Sequence, residues 1–330
     1  MNKFTTAVAA LLATTAVSAA QAEELRMSST APETSPWGVW LAAAGERVAE
    51  LTDGELTLNI FYGGQLGDEQ ATMNLLIRGR IDIAAVSTSA AGLVEPGLEA
   101  IHLPFAWSSD AEFDGAVDNH LMPMIGDILS SNNIVPIGSF EVPAFVLFSR
   151  QAIASPGDLV GQNWRAVPTR VSVGFLNALG AHGVPLGNAD MVTSLQTGAV
   201  DGAETSGLYG IAIGLNQIAP HLLMTQQTRV VGLLMMPGAV WERLSEEHRA
   251  ALSEAFSDVD SLRVNVRGVE RSMIDNAAAN GLTVVELNDT TRAEWQQAAA
   301  DSYDTLLTEI GGRAREVWAT VQEAQAACSN

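Results

Sequence analysis

Cysteine and lysine are almost absent from this sequence. Among 330 residues there is one cysteine, Cys328, and one lysine, Lys3, so arginine supplies nearly all of the 17 basic residues. A single cysteine near the C-terminus excludes an intrachain disulfide framework and a cysteine metal cluster. Charged residues are also scarce, at 17% of the chain against 47% hydrophobic residues. That balance excludes a disordered protein and leaves enough apolar surface for large cores.

Basic residues are also few relative to acidic ones. The 17 basic residues face 38 acidic ones, which gives a formal net charge of −21. Such an acidic surface repels phosphate backbones, and no run rich in lysine or arginine offsets it. We therefore predict no nucleic-acid partner. The length predicts one large domain or two of medium size.

The N-terminus has the pattern of a secretory signal peptide over residues 1–22. Lys3 precedes an apolar run that ends at Ala20, and the small residue Ala22 stands directly before two glutamates. A positive start, an apolar centre and a small-residue cleavage site are typical of such a peptide. An uncleaved anchor is the alternative, but the run is near the short limit for a membrane span and contains Thr and Ser. We predict a mature chain in the periplasm, not inserted in the membrane.

The motifs of common catalytic and cofactor sites are missing as well. The sequence contains no HExxH, no GxSxG, no P-loop and no GxGxxG, and its five histidines form no close ligand pair. Asp82 and Asp201 are the conceivable acid/base groups, but aspartate at such positions is typical of turns and caps. We therefore predict no catalytic residue, no metal site and no cofactor. A periplasmic enzyme stays the less favoured alternative.

Segments typical of strands and helices alternate along the mature chain. Leu56–Phe61 and the nearly all-apolar Ile81–Val86 have strand patterns, and Asp68–Arg78 between them has a helical one. A long helical stretch runs from Leu244 to about Asn280. This alternation predicts an α/β fold.

A weak internal repeat predicts how the fold is organised. Residues 66–82 read LGD, a helix, then GRID, and residues 186–201 read LGN, a helix, then GAVD. Any α/β unit needs a cap and a terminating glycine, which explains part of the match. Taken as a true repeat, it predicts two similar lobes with a boundary near residue 140. A cleft between them, outside the carboxyl ends of the strands, would offer helix N-termini to an anion.

Five short motifs follow one another along nearly the whole mature chain. They are Gly64-Gln65-Leu66-Gly67 with Arg78-Gly79-Arg80-Ile81-Asp82, Leu103-Pro104-Phe105, and the segments DLVGQNWR (158–165), LQTGAVDGAE (195–204) and WERLS (241–245). In this order they resemble the signature of the DctP-type solute-binding proteins, which serve tripartite ATP-independent periplasmic (TRAP) transporters.

The resemblance implies a two-lobed, periplasmic-binding-protein-like α/β fold. Each lobe would be a mixed β-sheet flanked by helices, with a long helix in the C-terminal half. Lobe 1 is expected over residues 23–142 plus about 231–270, and lobe 2 over about 143–230 plus 271–330.

The same resemblance implies a receptor that captures a small organic acid anion, a carboxylate or a sulfonate, between its lobes. The receptor would deliver this ligand to the TRAP membrane permease subunits. A ligand sensor that feeds a signalling partner would share the fold and the sequence pattern, and it stays open as the alternative.

Arg165 is the candidate ligand clamp, because in proteins of this kind the arginine at this position typically binds the ligand's carboxylate. A guanidinium matches a carboxylate or sulfonate with two parallel hydrogen bonds and stays protonated at physiological pH. A surface arginine at a strand end is the alternative interpretation. Its neighbour Trp164 should point to the opposite face of the strand, into the core.

The remaining candidate ligand contacts are less specific. Thr205 and Tyr209 have the i, i+4 spacing of one helix face. Loops at strand ends of the first lobe could contribute further polar side chains, although turn or cap roles explain these residues equally well: Thr30, Gln65, Asp68, Ser87 and Ser89.

Phe145 marks a departure from some acid-binding relatives, which carry a second arginine on the strand before the clamp. This chain has Phe145 at that place. The difference argues against a binding mode like that for sialic acid and suggests a smaller or more apolar ligand. Arg170 is the candidate substitute for the missing arginine, and a salt bridge in a loop explains it equally well.

Overall fold

The computed structural model describes residues 22–328. The predicted signal peptide, apart from Ala22, therefore lies outside the described residues. No helix within residues 22–328 combines the length and the apolar composition needed to cross a membrane.

The predicted alternation of strands and helices is confirmed. The strands are β1 Glu23–Ser29, β2 Leu56–Phe61, β3 Ile83–Ser87, β4 Ile134–Phe140, β5 Phe145–Ser149, β6 Asn163–Ala166, β7 His182–Pro185, β8 Gly202–Ser206, β9 His221–Thr228, β10 Gly232–Pro237 and β11 Thr283–Glu286. The α-helices are α1 Pro36–Leu51, α2 Glu69–Ile77, α3 Thr88–Ala91, α4 Asp110–Ala116, α5 Met122–Ser131, α6 Arg170–Ala178, α7 Asn188–Thr197, α8 Gly207–Ala212, α9 Gly238–Arg243, α10 Glu246–Ala255, α11 Val259–Ala279, α12 Asp289–Ala300, α13 Tyr303–Ile310 and α14 Ala314–Cys328.

Local sequence signals explain where helices α1 and α2 begin and where α2 ends. Ser35 caps α1 by accepting a hydrogen bond from the Gly38 amide, and Pro36 occupies the first helical position. Asp68 caps α2 in the same way, with 2.8 Å between its Oδ1 and the Ala71 nitrogen. Gly79 follows α2 with a φ of +63°, a conformation that glycine adopts without steric cost.

The strands form two sheets, and each sheet is mixed as predicted. The first has the order β2-β1-β3-β10-β4, and the second has the order β11-β9-β5-β8-β6-β7. In the first sheet β1 runs parallel to β2 and β3, whereas β10 is antiparallel to β3 and β4. In the second sheet β6 runs parallel to β7 and β8, whereas β5 is antiparallel to β8 and β9.

The chain crosses between the two sheets twice by short links. One link joins β4 to β5, and the other joins β9 to β10. The long helix α11, 21 residues in length, packs against elements on both sides, α1 and β4 as well as α8 and β11. The predicted helical stretch from Leu244 to Asn280 is in fact two helices, α10 and α11, because the chain leaves the helical path at Ser257 and Asp258.

The last two helices pack on the core of the first sheet. Leu306 and Ile310 of α13, with Val317 and Val321 of α14, belong to the same buried apolar cluster as Val86 of β3. The division of the chain into lobes stays a prediction. This packing gives a physical reason to move residues 303–328, expected in lobe 2, to lobe 1.

Candidate functional site

A cavity lies between the two sheets, beyond the carboxyl ends of the parallel strands β1, β3, β6 and β8, where the α/β architecture favours a ligand site. Both sheets contribute to its wall. The lining residues are Ser29, Thr30, Ala31, Trp37, Trp40, Leu41, Glu69, Ala85, Ser87, Ser89, Phe140, Val142, Phe145, Arg165, Val167, Asn188, Thr205, Ser206, Tyr209 and Val230.

Arg165 of β6 reaches this cavity from the second sheet and is only 1% exposed. Its Nε donates to the Leu186 carbonyl at 2.8 Å, one terminal nitrogen donates to the Glu204 carbonyl at 2.7 Å, and the other donates to Asn188 Oδ1 at 3.0 Å. A guanidinium has five N–H donors, so two remain after these three bonds, one on each terminal nitrogen. Arg165 is therefore held rigidly and keeps the two donors that a carboxylate requires.

Burial lowers the pKa of Arg165 to about 10, while the nearby Glu204, Tyr209 and Glu69 act in the opposite direction. The guanidinium therefore remains positively charged at neutral pH. A buried cation is costly unless it is paired, so an anionic ligand would gain from offsetting that cost.

Glu204 of β8 lies behind the guanidinium and balances part of its charge. Burial raises the pKa of this carboxyl, and Arg165 opposes the shift. Its oxygens accept hydrogen bonds from the Val167 amide and from Gln227 Nε2, each at 3.3 Å, and it also contacts the Ser172 hydroxyl. These partners hold Glu204 in place and keep it out of the cavity wall.

Trp164, the neighbour of Arg165 on β6, points to the other face of the strand. It is fully buried in an apolar cluster with Phe175 and Trp295. Its predicted role in the core is confirmed, because successive side chains of a strand alternate between faces.

Thr205 and Tyr209 both line the cavity, but the reason given for their pairing is wrong. Thr205 belongs to β8 and Tyr209 belongs to α8, so they do not share a helix face. They meet because α8 begins directly after β8, where Ser206 caps the helix by accepting a hydrogen bond from the Tyr209 amide.

The hydroxyls of Thr205 and Tyr209 are available to a ligand, since neither has a hydrogen-bond partner within residues 22–328. Burial raises the pKa of Tyr209 to about 12. This hydroxyl is therefore a neutral donor close to Arg165.

The first sheet supplies a second charged group that the sequence did not predict, Glu69. It begins α2, and its two oxygens accept hydrogen bonds from the Ser87 amide at 3.1 Å and the Ser87 hydroxyl at 2.6 Å. Burial raises the pKa of Glu69, while Ser87 and Arg165 oppose the rise. The only sequence signal for Glu69 is its place one residue after the cap of α2, at the edge where the strands end.

Four other predicted contacts from outside β6 and β8 also line the cavity. Thr30 follows β1, Ser87 ends β3, Ser89 lies in α3 and Phe145 begins β5. The cavity thus brings together seven of the ten predicted ligand residues. Their role as ligand contacts stays a prediction.

The other three predicted residues lie outside this cavity. Gln65 is exposed in the turn before α2, and Asp68 uses a carboxylate oxygen to cap that helix. Arg170, about half exposed, forms an ion pair with Glu99 at 3.2 Å in a separate and more open groove. Turn geometry, a helix cap and an ion pair account for these three side chains.

Two large aromatic residues of α1, Trp37 and Trp40, also reach the wall. The Trp37 indole donates to the Glu141 carbonyl at 2.6 Å, so its ring is fixed. Within residues 22–328 no group of three or more His, Cys, Asp or Glu side chains is placed to hold a metal ion.

Comparison with known proteins agrees with this geometry. Residues 27–309 match the family model DctP, described as bacterial extracellular solute-binding protein, family 7. A solute-binding protein of Chromohalobacter salexigens is 25% identical over 302 residues, covering 91% of this chain and 89% of the relative.

Solved structures share the fold. A TRAP periplasmic solute-binding protein of Roseobacter denitrificans, with bound β-D-glucuronate, has a TM-score of 0.86 at 22% identity and covers 92% of this chain and 99% of its own. The sugar acid binding protein DctPAm of Advenella mimigardefordensis, in complex with galactonate, has a TM-score of 0.88 at 21% identity and covers 93% and 99%. The family match extends over most of the described residues and includes strands of both sheets. The chain therefore belongs to family 7 of the bacterial extracellular solute-binding proteins, the DctP family.

Proposed function

We propose that this protein is the extracytoplasmic receptor of a TRAP transporter. It captures a small organic acid anion, a carboxylate or a sulfonate, in the cavity between its sheets and delivers it to the membrane permease. One observation carries the proposal: a buried arginine, Arg165, is held by three hydrogen bonds and retains two N–H donors at the cavity. The organic acids bound by the glucuronate and galactonate complexes support the same ligand class.

The acidic surface of the protein does not prevent the binding of an anion. The net charge of −21 repels an anion at long range, but salt screens exposed charges beyond roughly 8 Å under physiological conditions. A contact pair inside a largely desolvated cavity is screened much less. One rigid guanidinium can therefore govern the local interaction.

The cavity has lining residues on both sheets, which favours a mechanism in which the two lobes close around the ligand. Arg165 and Thr205 stand on the second sheet, whereas Thr30 and Ser87 stand on the first. A ligand that touches both sides stabilises the closed form over the open one by its differential contacts. The two short links and α11 are the connections about which the lobes would move.

We infer a receptor rather than an enzyme. Glu69, the one carboxyl that residues 22–328 place in the cavity wall, is held by Ser87, and the family is defined by solute binding. A test for turnover is to incubate the protein with each bound acid and analyse the acid by mass spectrometry. Recovery of the unchanged acid is expected, and a new product would overturn this inference.

The binding step is tested with the chain lacking residues 1–22, purified without refolding. Isothermal titration against hydroxy, keto, sugar and sulfonic acids should find at least one binder with a dissociation constant in the micromolar range or below. Uncharged analogues of that binder, such as its methyl ester, serve as the control. Equal affinity for acid and ester would contradict the proposal.

Location and partner are tested in cells. When the full-length sequence is expressed, we expect the protein in the periplasmic fraction to lack residues 1–22. We also expect uptake of the ligand to need both this protein and a TRAP permease. Recovery of the full-length chain from the cytoplasm would contradict the location. Undiminished uptake in a strain lacking the chain would contradict the role in delivery.

A further inference from the structure

We infer that the cavity selects an acid with a single carboxylate and an apolar, ring-sized body over a polyhydroxylated sugar acid or a dicarboxylate. This inference rests on the proposed function and narrows its ligand class. It depends on three features of the cavity wall: the aromatic rings, the hydroxyls already engaged within the protein, and the carboxyl of Glu69.

Five aromatic residues line the wall. Trp37, Trp40 and Phe140 stand on the side of the first sheet, and Phe145 and Tyr209 stand on the second. The rings of Trp40 and Phe140 are also packed against each other, with 6.4 Å between their centroids. A ligand gains about 25 cal/mol for each Å² of apolar surface that it buries against such a wall, and a hydroxylated surface gains none of this.

Phe145 is the ring that most affects selectivity, because β5 places it beside β8, which carries Thr205. Its neighbours on β5, Val146, Leu147 and Phe148, are buried in the core, so the strand has little freedom to move away. An apolar ring at this place gives no hydrogen bond to a sugar hydroxyl. It offers a flat surface to an apolar ligand instead.

Several hydroxyls of the wall already have a partner inside the protein. Ser29 Oγ accepts from the Ala31 amide at 3.1 Å, Ser206 Oγ accepts from the Tyr209 amide at 3.3 Å, and Ser87 Oγ donates to Glu69 at 2.6 Å. These contacts reduce the hydrogen-bonding capacity left for a ligand.

Few other hydroxyls of the wall can serve a sugar acid. Thr30, Ser89 and Thr205 are the lining aliphatic hydroxyls that bond no other side chain or amide within the described part of the chain. A sugar acid buries several hydroxyls at once, and each one left without a partner costs about 1–3 kcal/mol. A single carboxylate, by contrast, is served by Arg165 and Tyr209.

Glu69 acts against a second carboxylate on the ligand. It shares the small cavity with Arg165, so a dicarboxylate bound to Arg165 by one end would bring its other end toward a second carboxyl. Like charges at contact distance in a desolvated space repel strongly. A ligand with one carboxylate lacks this second contribution to the repulsion.

The direct test compares three probes on the wild-type chain by isothermal titration at pH 7.5: phenylacetate, glucuronate and succinate. We expect phenylacetate to bind at least tenfold more tightly than either of the others. If glucuronate or succinate binds as tightly or more tightly, the inference is overturned while the receptor function stands. If none of the three binds, the inference is overturned, and the wider acid panel decides the receptor function.

Two substitutions test the contributions of Phe145 and Glu69 to this selectivity separately. Phe145→Leu keeps an apolar side chain but removes the ring, and it should weaken phenylacetate about tenfold and succinate by a smaller factor. Glu69→Gln keeps the size of the side chain and removes its charge, and it should strengthen succinate about tenfold and phenylacetate by a smaller factor. Equal effects of either substitution on both acids would contradict the roles assigned to Phe145 and Glu69. Far-UV circular dichroism checks that each variant is folded.

Discussion

Replacing Arg165 by methionine should abolish most of the affinity for the acid while leaving the fold intact. Methionine fills a similar elongated space, but it offers no donor to the ligand. Loss of one partner from a buried, hydrogen-bonded charge pair costs about 2–5 kcal/mol. That range corresponds to a fall in affinity of about 30-fold to several thousand-fold.

The same substitution has opposing effects on folding. It removes a buried cation, whose burial is costly, but it leaves the carbonyls of Leu186 and Glu204 and the amide oxygen of Asn188 without their donor. Each such buried acceptor costs about 1–3 kcal/mol unless water replaces the donor. We therefore expect a moderate fall in the melting temperature of the free protein, and binding must be measured well below it.

Arg170→Met is the matched control, because Arg170 is a second arginine, five residues after Arg165, that lies outside the cavity. Isothermal titration of the wild type and both variants with the best acid of the panel should show a large loss for Arg165→Met. Arg170→Met should stay within threefold of the wild type. Unchanged affinity in Arg165→Met, or an equal loss in both variants, would refute the reasoning.

Three further predictions concern stability and the ligand contacts. Burial raises the pKa of Glu270 from 4.5 to about 7, so the folded state holds the proton of this carboxyl more tightly than the unfolded state. The contribution of Glu270 to stability therefore falls as the pH rises through that interval, by roughly 3 kcal/mol at most. Urea denaturation at pH 5 and pH 8 should show a smaller fall for Glu270→Gln, which keeps an acceptor for the Leu208 amide, than for the wild type; equal falls would contradict this. Trp164→Ala should lower the free energy of unfolding by about 3–5 kcal/mol, because the ring is fully buried, and a loss below 1 kcal/mol would be unexpected. Tyr209→Phe should weaken acid binding about fivefold to tenfold in titration without changing the melting temperature, since its hydroxyl bonds no described residue, and unchanged affinity would remove Tyr209 from the ligand contacts.

Much of the fold follows from short-range rules that act on the sequence directly. The caps at Ser35 and Asp68 and the glycine at Gly79 mark helix ends by local hydrogen bonding and by φ, so these ends could be predicted. Strand alternation likewise placed Trp164 in the core and Arg165 on the other face of β6.

Features that depend on long-range packing could not be predicted. Glu69 joins the site because β3 brings Ser87 to it, 18 residues further along the chain. The helices α13 and α14 are amphipathic, and their sequence does not say which sheet receives their apolar faces. Thr205 and Tyr209 were placed on one helix because a spacing of four fits that pattern, whereas the strand-to-helix junction at Ser206 brings them to the cavity.

The most direct test is a crystal structure of the protein with its tightest-binding acid. The account predicts that both oxygens of the ligand's carboxylate lie within hydrogen-bond distance of the two terminal nitrogens of Arg165, with the rest of the ligand between the two sheets. A carboxylate bound elsewhere, with those nitrogens facing only water or protein, would contradict it.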